Sequence, residues 1–181
     1  MDLAQVSESM ICELYERVRY QNSSDKLALT VNEKQKLKLS WTTFMGANPT
    51  QAGLDMFYRM FEKYPQTQSV FSFASTKAEG QMQDTSRLML HITMVSKMIG
   101  NVVDDLDNME SIVPSLLSLG GRHGTNGYNI PKDFFPFLGE SQRELMKEKL
   151  GDSFTDDHNA LWTKLYQFII DTMIEGQEKY N

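Results

Sequence analysis

A single cysteine, Cys12, stands in a chain of 181 residues, which excludes an internal disulfide framework and any zinc site built from several thiolates. Such a lone thiol behaves as a small apolar side chain. Proline and glycine are sparse, at five and eleven residues with no biased tract, so collagen-like, mucin-like and wholly disordered chains are excluded as well. Long hydrophobic runs are missing. The longest stretch without a charge, residues 39–54, contains Ser, Thr, Asn, Pro and Gln and cannot span a bilayer. A basic excess is also missing: 18 Lys and Arg against 24 Asp and Glu leave a net charge of −6, and the bases are scattered. Neither nucleic acid nor a membrane is therefore expected as a partner. The opening MDLAQVSESM carries an acid where a signal peptide needs bases, and Asp2 in place of glycine excludes N-myristoylation, so a cytoplasmic chain is expected. What remains is 40% hydrophobic and 10% aromatic, enough for the core of one compact domain.

Almost every apolar pattern has the helical period, and no stretch alternates cleanly as a half-buried strand does, so the class is all-α. Leu3, Val6, Met10, Leu14 and Val18 step by three or four and predict an amphipathic N-terminal helix, set apart by the polar run 21–26. Thr30 and Glu33 have capping-box spacing, a cap contributing ~1 kcal/mol, and Leu37, Trp41 and Phe44 follow on one face until Gly46. Asn48 and Pro49 open a second helix with a bulky face of Leu54, Phe57, Met60, Phe61 and Tyr64, which Pro65 breaks. A short segment with Phe71 and Phe73 precedes a polar loop, 75–83. Leu88, His91, Val95, Met98, Val102 and Leu106 then form a long apolar stripe with one histidine in it.

Pro114 is expected in the first turn of the next helix, where Leu116, Leu119 and His123 share a face before Gly124 and the turn at Asn126 and Gly127. Pro131 opens a helix with Phe134, Phe135, Phe137, Leu138, Leu145 and Leu150, whose polar middle, 139–144, is expected to be partly exposed. Thr155 caps a final helix with Asp156 and Asp157 in its first turn and a face of Leu161, Leu165, Phe168 or Ile169 and Met173, ending at Gly176. About seven or eight helices result, with no repeat and no linker.

Two of only three histidines, His91 and His123, fall on apolar faces of different helices, and neutral imidazole is a strong ligand for iron, copper or zinc. Either one alone reads more readily as a core histidine satisfied by a backbone carbonyl than as a ligand, and it is the two together that shift the balance. A bare-metal site needs carboxylates or cysteines nearby, yet the acids of these helices lie off the histidine stripes, so a flat apolar macrocycle carrying its own metal fits the pair better. His158, in the first turn of the last helix, is expected to make a solvent or capping contact. The twelve methionines and Phe57, Phe61, Phe71 and Phe73 serve a core as well as a pocket. Phosphate loop, nucleophile elbow and zinc-protease motif are all absent.

From Thr30 to Gly176 the pattern resembles the globin family, in particular cytoglobin-like, neuroglobin-like and invertebrate neuronal globins. Leu37 and Trp41 resemble the first globin helix; FYRMFEKYP, residues 57–65, resembles the second helix running into the family's proline corner. Phe71, six residues after Pro65, is similar to the phenylalanine that wedges against the haem. His91 with Val95 resembles the distal pair, Leu119 with His123 the proximal helix, and the spacing of 32 positions between the histidines is similar to that expected in cytoglobin-like and neuroglobin-like globins. FTDDHNALWTKLYQFIIDTMIEG, residues 154–176, resembles the final helix. Four features depart from the pattern: Met94 stands where many globins place a base facing a haem propionate, the loop 124–130 is longer than usual, the polar middle 139–144 differs from the buried globin helix, and residues 1–29 have no counterpart in a minimal globin.

The resemblance implies a globin fold around a haem b pocket over residues 30–181, with residues 1–29 as an N-terminal helical extension that docks, associates or joins something larger. It implies His123 as proximal and His91 as distal metal ligand, with Phe57, Phe71, Val95, Leu119 and Arg122 in the cofactor-binding set and Arg122 beside a propionate. The implied partners are the diatomic gases oxygen, nitric oxide and carbon monoxide, and an electron-transfer partner. A bis-histidyl, six-coordinate centre for redox signalling or gas sensing is the expected function. The alternatives are oxygen binding, storage or transport with five-coordinate ferrous haem, nitric oxide dioxygenase activity drawing on an external reductant, and a haem-free helical sensory domain.

Overall fold

The computed structural model describes residues 27–71 and 85–180, together with Met10 and Leu14. Those two are helical and half exposed; the rest of the expected N-terminal helix, Cys12, Phe73 and the polar loop 75–83 lie outside the described residues. Among the described residues the chain is all-α, as the periodicity predicts, with α1 Val31–Met45, α2 Pro49–Lys63, α3 Thr85–Asp104, α4 Met109–His123, α5 Phe135–Leu150 and α6 Asp156–Tyr180. Short 3₁₀ helices, Pro65–Val70, Lys132–Phe134 and Gly151–Ser153, turn the corners. None of these helices is long and apolar enough to cross a membrane.

Local chemistry sets several of the ends. The Thr30 hydroxyl accepts from the Glu33 amide at 3.3 Å while the Glu33 carboxylate accepts from the Thr30 amide at 2.7 Å, a closed capping box. Gly46 ends α1 at φ 53°, a conformation that costs glycine nothing. The Asn48 side chain accepts from the Gln51 amide at 3.2 Å at the head of α2, and Pro65 starts the 3₁₀ corner beyond its end.

Two apolar clusters result. The larger joins α1, α4, α5 and α6 around Leu37, Trp41, Leu116, Leu117, Met146 and Trp162, and the Trp162 indole donates to the Ser40 hydroxyl at 3.0 Å. It reaches back to Leu27, whose side chain is buried, while the Ala28 carbonyl accepts from Lys164. The smaller cluster is Phe57, Met60, Phe61, Leu88 and Ile92, between α2 and α3. Half-buried Val95 and Leu138 touch both clusters. Leu88, Val102 and Leu106 are buried at the ends of the His91 stripe, whereas His91, Val95 and Met98 in its middle are half buried.

Two expectations change. Pro114 sits inside α4 rather than in its first turn, because the helix already begins at Met109; the proline side chain is exposed. Gly176 does not stop α6, which runs on to Tyr180. A Cβ at Gly176 would lie 2.1 Å from the Leu117 carbonyl oxygen, and one at Gly120 would lie 1.9 Å from that of Met173, so these glycines let α4 and α6 cross backbone to backbone. The polar middle of α5 is partly exposed, as expected: Gly139, Ser141 and Gln142 face inward, while the side chains of Glu140 and Glu144 stay 38% and 41% exposed. Each polar group there is satisfied, Ser141 Oγ by the Phe137 carbonyl at 2.9 Å and the Gln142 carbonyl oxygen by the Tyr166 hydroxyl, so burial costs little. The two glutamates of that stretch turn to α2, where Glu140 meets Tyr64 and Glu144 meets Lys63, and one turn on Glu148 takes both terminal Arg59 guanidinium nitrogens at 2.7 and 2.9 Å.

Candidate functional site

His123 is the last residue of α4, and its Nδ1 lies 2.8 Å from the carbonyl oxygen of Leu119 one turn back. A ring nitrogen facing a carbonyl carries the proton, so Nδ1 donates and Nε2 keeps its lone pair, the tautomer that ligates metal. Burial pushes the imidazole pKa down, against the raising effect of the Leu119 bond, and the neighbouring Arg122 charge lowers it further. The ring is flanked by Tyr128, edge on at 5.7 Å between centroids, and by Phe135 at 6.0 Å.

His91 comes from the middle of α3. Two aromatic rings meet it edge on, Phe57 at 5.7 Å and Phe71 at 5.3 Å, and Phe61 packs behind Phe71 at 5.3 Å. Burial first, and the positive charge of a protonated His123 second, depress its pKa to about 4. Both pKa values are lowered chiefly by burial, so at neutral pH both residues are uncharged imidazoles with a lone pair to offer. Among the described residues no three of His, Cys, Asp and Glu gather as ligands for a bare ion. Two neutral imidazoles from facing helices with aromatic and aliphatic side chains about them suit a metal whose remaining ligands come with it, in a planar apolar macrocycle.

Phe57, Phe71 and His91 form one cluster, and Leu119 and His123 are joined by their hydrogen bond. Val95, one turn on from His91, bridges the two apolar clusters. Arg122 is exposed and lines a groove of about 580 Å³ with Ser118, Gly121, Asn126, Gly127, Tyr128 and Tyr180. His158 stays apart as expected, its Nδ1 2.9 Å from the Thr155 hydroxyl at the head of α6. Sequence reading missed Tyr128, Phe135 and Gln177. The first two carried no signal beyond being aromatic. Gln177, by contrast, continues the four-residue step Leu161, Leu165, Ile169, Met173 into the core and was hidden only by ending the helix at Gly176.

The globin family model matches residues 54–173, more than half of the chain. The polymeric globin component P1 of Glycera dibranchiata is 32% identical over 149 residues, covering 82% of this chain and 97% of the relative. The neuroglobin of Dissostichus mawsoni is 29% identical over 154 residues, covering 83% and 94%, and that of Danio rerio is 26% identical over 152 residues with the same coverage. With the helical fold, the proline corner after α2 and the two inward histidines already in place, the chain belongs to the globin family, a family of haem proteins.

Proposed function

We propose that this globin holds haem b between His123 and His91, with His123 Nε2 as the fixed axial ligand and His91 in the sixth position, and that it acts in redox signalling or gas sensing. The observation that carries this reading is His91 itself: an imidazole buried to neutrality, wedged by Phe57 and Phe71, and within electrostatic reach of His123. When bound, haem supplies a redox-active iron open to oxygen, nitric oxide and carbon monoxide. The Leu119 carbonyl would then fix the His123 tautomer and raise the basicity of Nε2. Phe57, Phe71 and Val95 would keep water from the His91 side and offer no hydrogen bond of their own to a gas. Arg122, in the last turn of α4, is the base available to a haem carboxylate. An electron-transfer partner and a cytoplasmic setting belong to the same reading.

A second reading rests on the same side chain. A neutral imidazole keeps one N–H, which can donate to a diatomic ligand, and His91 would then support oxygen storage or transport by a five-coordinate ferrous haem. The absorption spectrum of the reduced protein without added ligand separates the two. A six-coordinate low-spin spectrum is expected; a five-coordinate high-spin spectrum selects the oxygen carrier, and failure to take up haem removes both.

A further inference from the structure

At the far end of α6, one buried side chain reaches the residue that carries the proximal imidazole. The Gln177 Nε2 amide donates to the His123 carbonyl at 2.9 Å and to the Ile130 carbonyl at 3.1 Å, and the residue is only 3% exposed. A side-chain amide has two N–H groups, enough for both. The His123 carbonyl belongs to the last turn of α4 and has no partner within the helix, so its partners must come from elsewhere. Two arrive: the Ile130 amide at 2.9 Å and Gln177.

The chain between them is folded tightly onto the helix end. The Tyr128 amide donates to the Arg122 carbonyl at 2.9 Å and the Asn129 amide to that of Gly124 at 2.8 Å. A Cβ at Gly127 would lie 2.1 Å from the Arg122 carbonyl oxygen, so only glycine fits. Gln177 follows directly on Gly176, where α6 and α4 touch backbone to backbone, so its donor is carried by a crossing with no side chain between the helices at that point. The ring nitrogen of His123 is thus set from within α4 by Leu119, and its backbone is set from α6.

We propose that Gln177 is the positioning residue for the proximal histidine, a clasp through which the last turns of α6 set how firmly and at what angle His123 is presented. This rests on the reading of His123 as the fixed axial ligand. The neighbouring Lys132 and Glu178 ion pair, 2.7 Å apart but exposed, ties the same segments and serves as the control.

The full-length ferric holoprotein is compared as wild type, Gln177→Met, which keeps length without a donor, and Glu178→Ala. Gln177→Met is expected to release haem about tenfold faster to an excess of haem-free acceptor protein, the scale of one or two lost hydrogen bonds. It should also shift or split the electron paramagnetic resonance g-values, which report axial imidazole orientation. Glu178→Ala should change neither. Unchanged g-values and release rate in Gln177→Met, with only a lowered melting temperature, would overturn the proposal. Should that variant fail to fold, the wild-type haem-free protein decides by nuclear magnetic resonance: the Gln177 side-chain amide protons and the Ile130 amide are expected to exchange slowly with water, and rapid exchange at Gln177 overturns the clasp. A wild type that takes up no haem is recognised before any variant is made, and removes the reading on which the clasp rests.

Discussion

On the His123 side, α4 and α6 meet through their backbones, at Gly120 against the Met173 carbonyl and Gly176 against that of Leu117. On the His91 side, α3 meets α2 through side chains: a Cβ at Gly53 would come within 2.7 Å of Ile92 Cγ2 and 2.8 Å of Ser96 Oγ, and the ring of His91 is held between Phe57 and Phe71. Backbone-to-backbone contact has no rotamers with which to yield, whereas side-chain contact yields by small rotations. The two imidazoles therefore sit on supports of different stiffness, a fixed one at the end of α4 and an adjustable one in the middle of α3. That asymmetry suits a site in which one ligand stays on the metal and the other competes with an incoming gas.

Removing the fixed ligand should have the largest effect. Changing the partner of a ligating histidine typically costs ten- to a hundredfold in affinity, so His123→Ala is expected to weaken haem binding by more than about a hundredfold, read from haem transfer and from the lost native absorption bands. Thermal stability should fall with it, since a group bound by the native state alone stabilises that state. Retention of haem with an unaltered spectrum would erase the contrast between the sides.

The adjustable ligand is next. If His91 occupies the sixth position and leaves an open site in roughly 1% of molecules, the apparent dissociation constant for carbon monoxide is about a hundredfold above the intrinsic one. Rebinding in the wild type should then level off with gas concentration at the His91 release rate, and His91→Leu should abolish the plateau. A linear, fast wild-type reaction would make His91 a hydrogen-bond donor only. In the haem-free protein the same residue gives a pH signature. Because its folded pKa lies near 4 and its ordinary value is 6.5, the unfolded chain takes up the proton first as pH falls. Stability that is present above pH 6.5 is lost progressively toward pH 4. Urea unfolding at pH 7 and pH 4.5 should therefore show a smaller acid loss in His91→Leu.

The supports themselves can be compared by adding one methyl group to each. Gly120→Ala drives a carbon into a carbonyl and is expected to cost about 2–3 kcal/mol in urea unfolding, whereas Gly53→Ala meets two side-chain atoms and should cost about 1 kcal/mol. Equal costs would argue that the two crossings are equally stiff. The smallest effect is expected away from both histidines, at Thr30→Ala, where loss of the capping box should cost about 1 kcal/mol and leave the haem spectrum alone.

Much of the fold was legible because it is written in short-range interactions. Thr30 with Glu33, Asn48 with Pro49, Pro65 after Tyr64 and the four-residue steps of Leu161, Leu165 and Met173 act within one or two turns of the chain, and they appear in the structure where their spacing puts them. That His91 and His123 are both largely withdrawn from solvent was legible for a related reason, since each stands on the inward stripe of an amphipathic helix. The polar middle of α5 was legible only in part: Glu140 and Glu144 keep exposed side chains as their charge predicts, but that Gln142 turns inward depends on Tyr166, distant in sequence, arriving to satisfy it.

By itself, then, the sequence determined the helical class, the caps, the proline corner and which two histidines turn inward, all consequences of periodicity and of bonds between near neighbours. Tertiary structure alone decided that Gly176 is a crossing point rather than a stop, that Arg122 borders an outer groove, and that Gln177 reaches the His123 carbonyl. Each of these depends on where a second helix or turn comes to rest, and a residue's own neighbours in the chain carry no record of what packs against it.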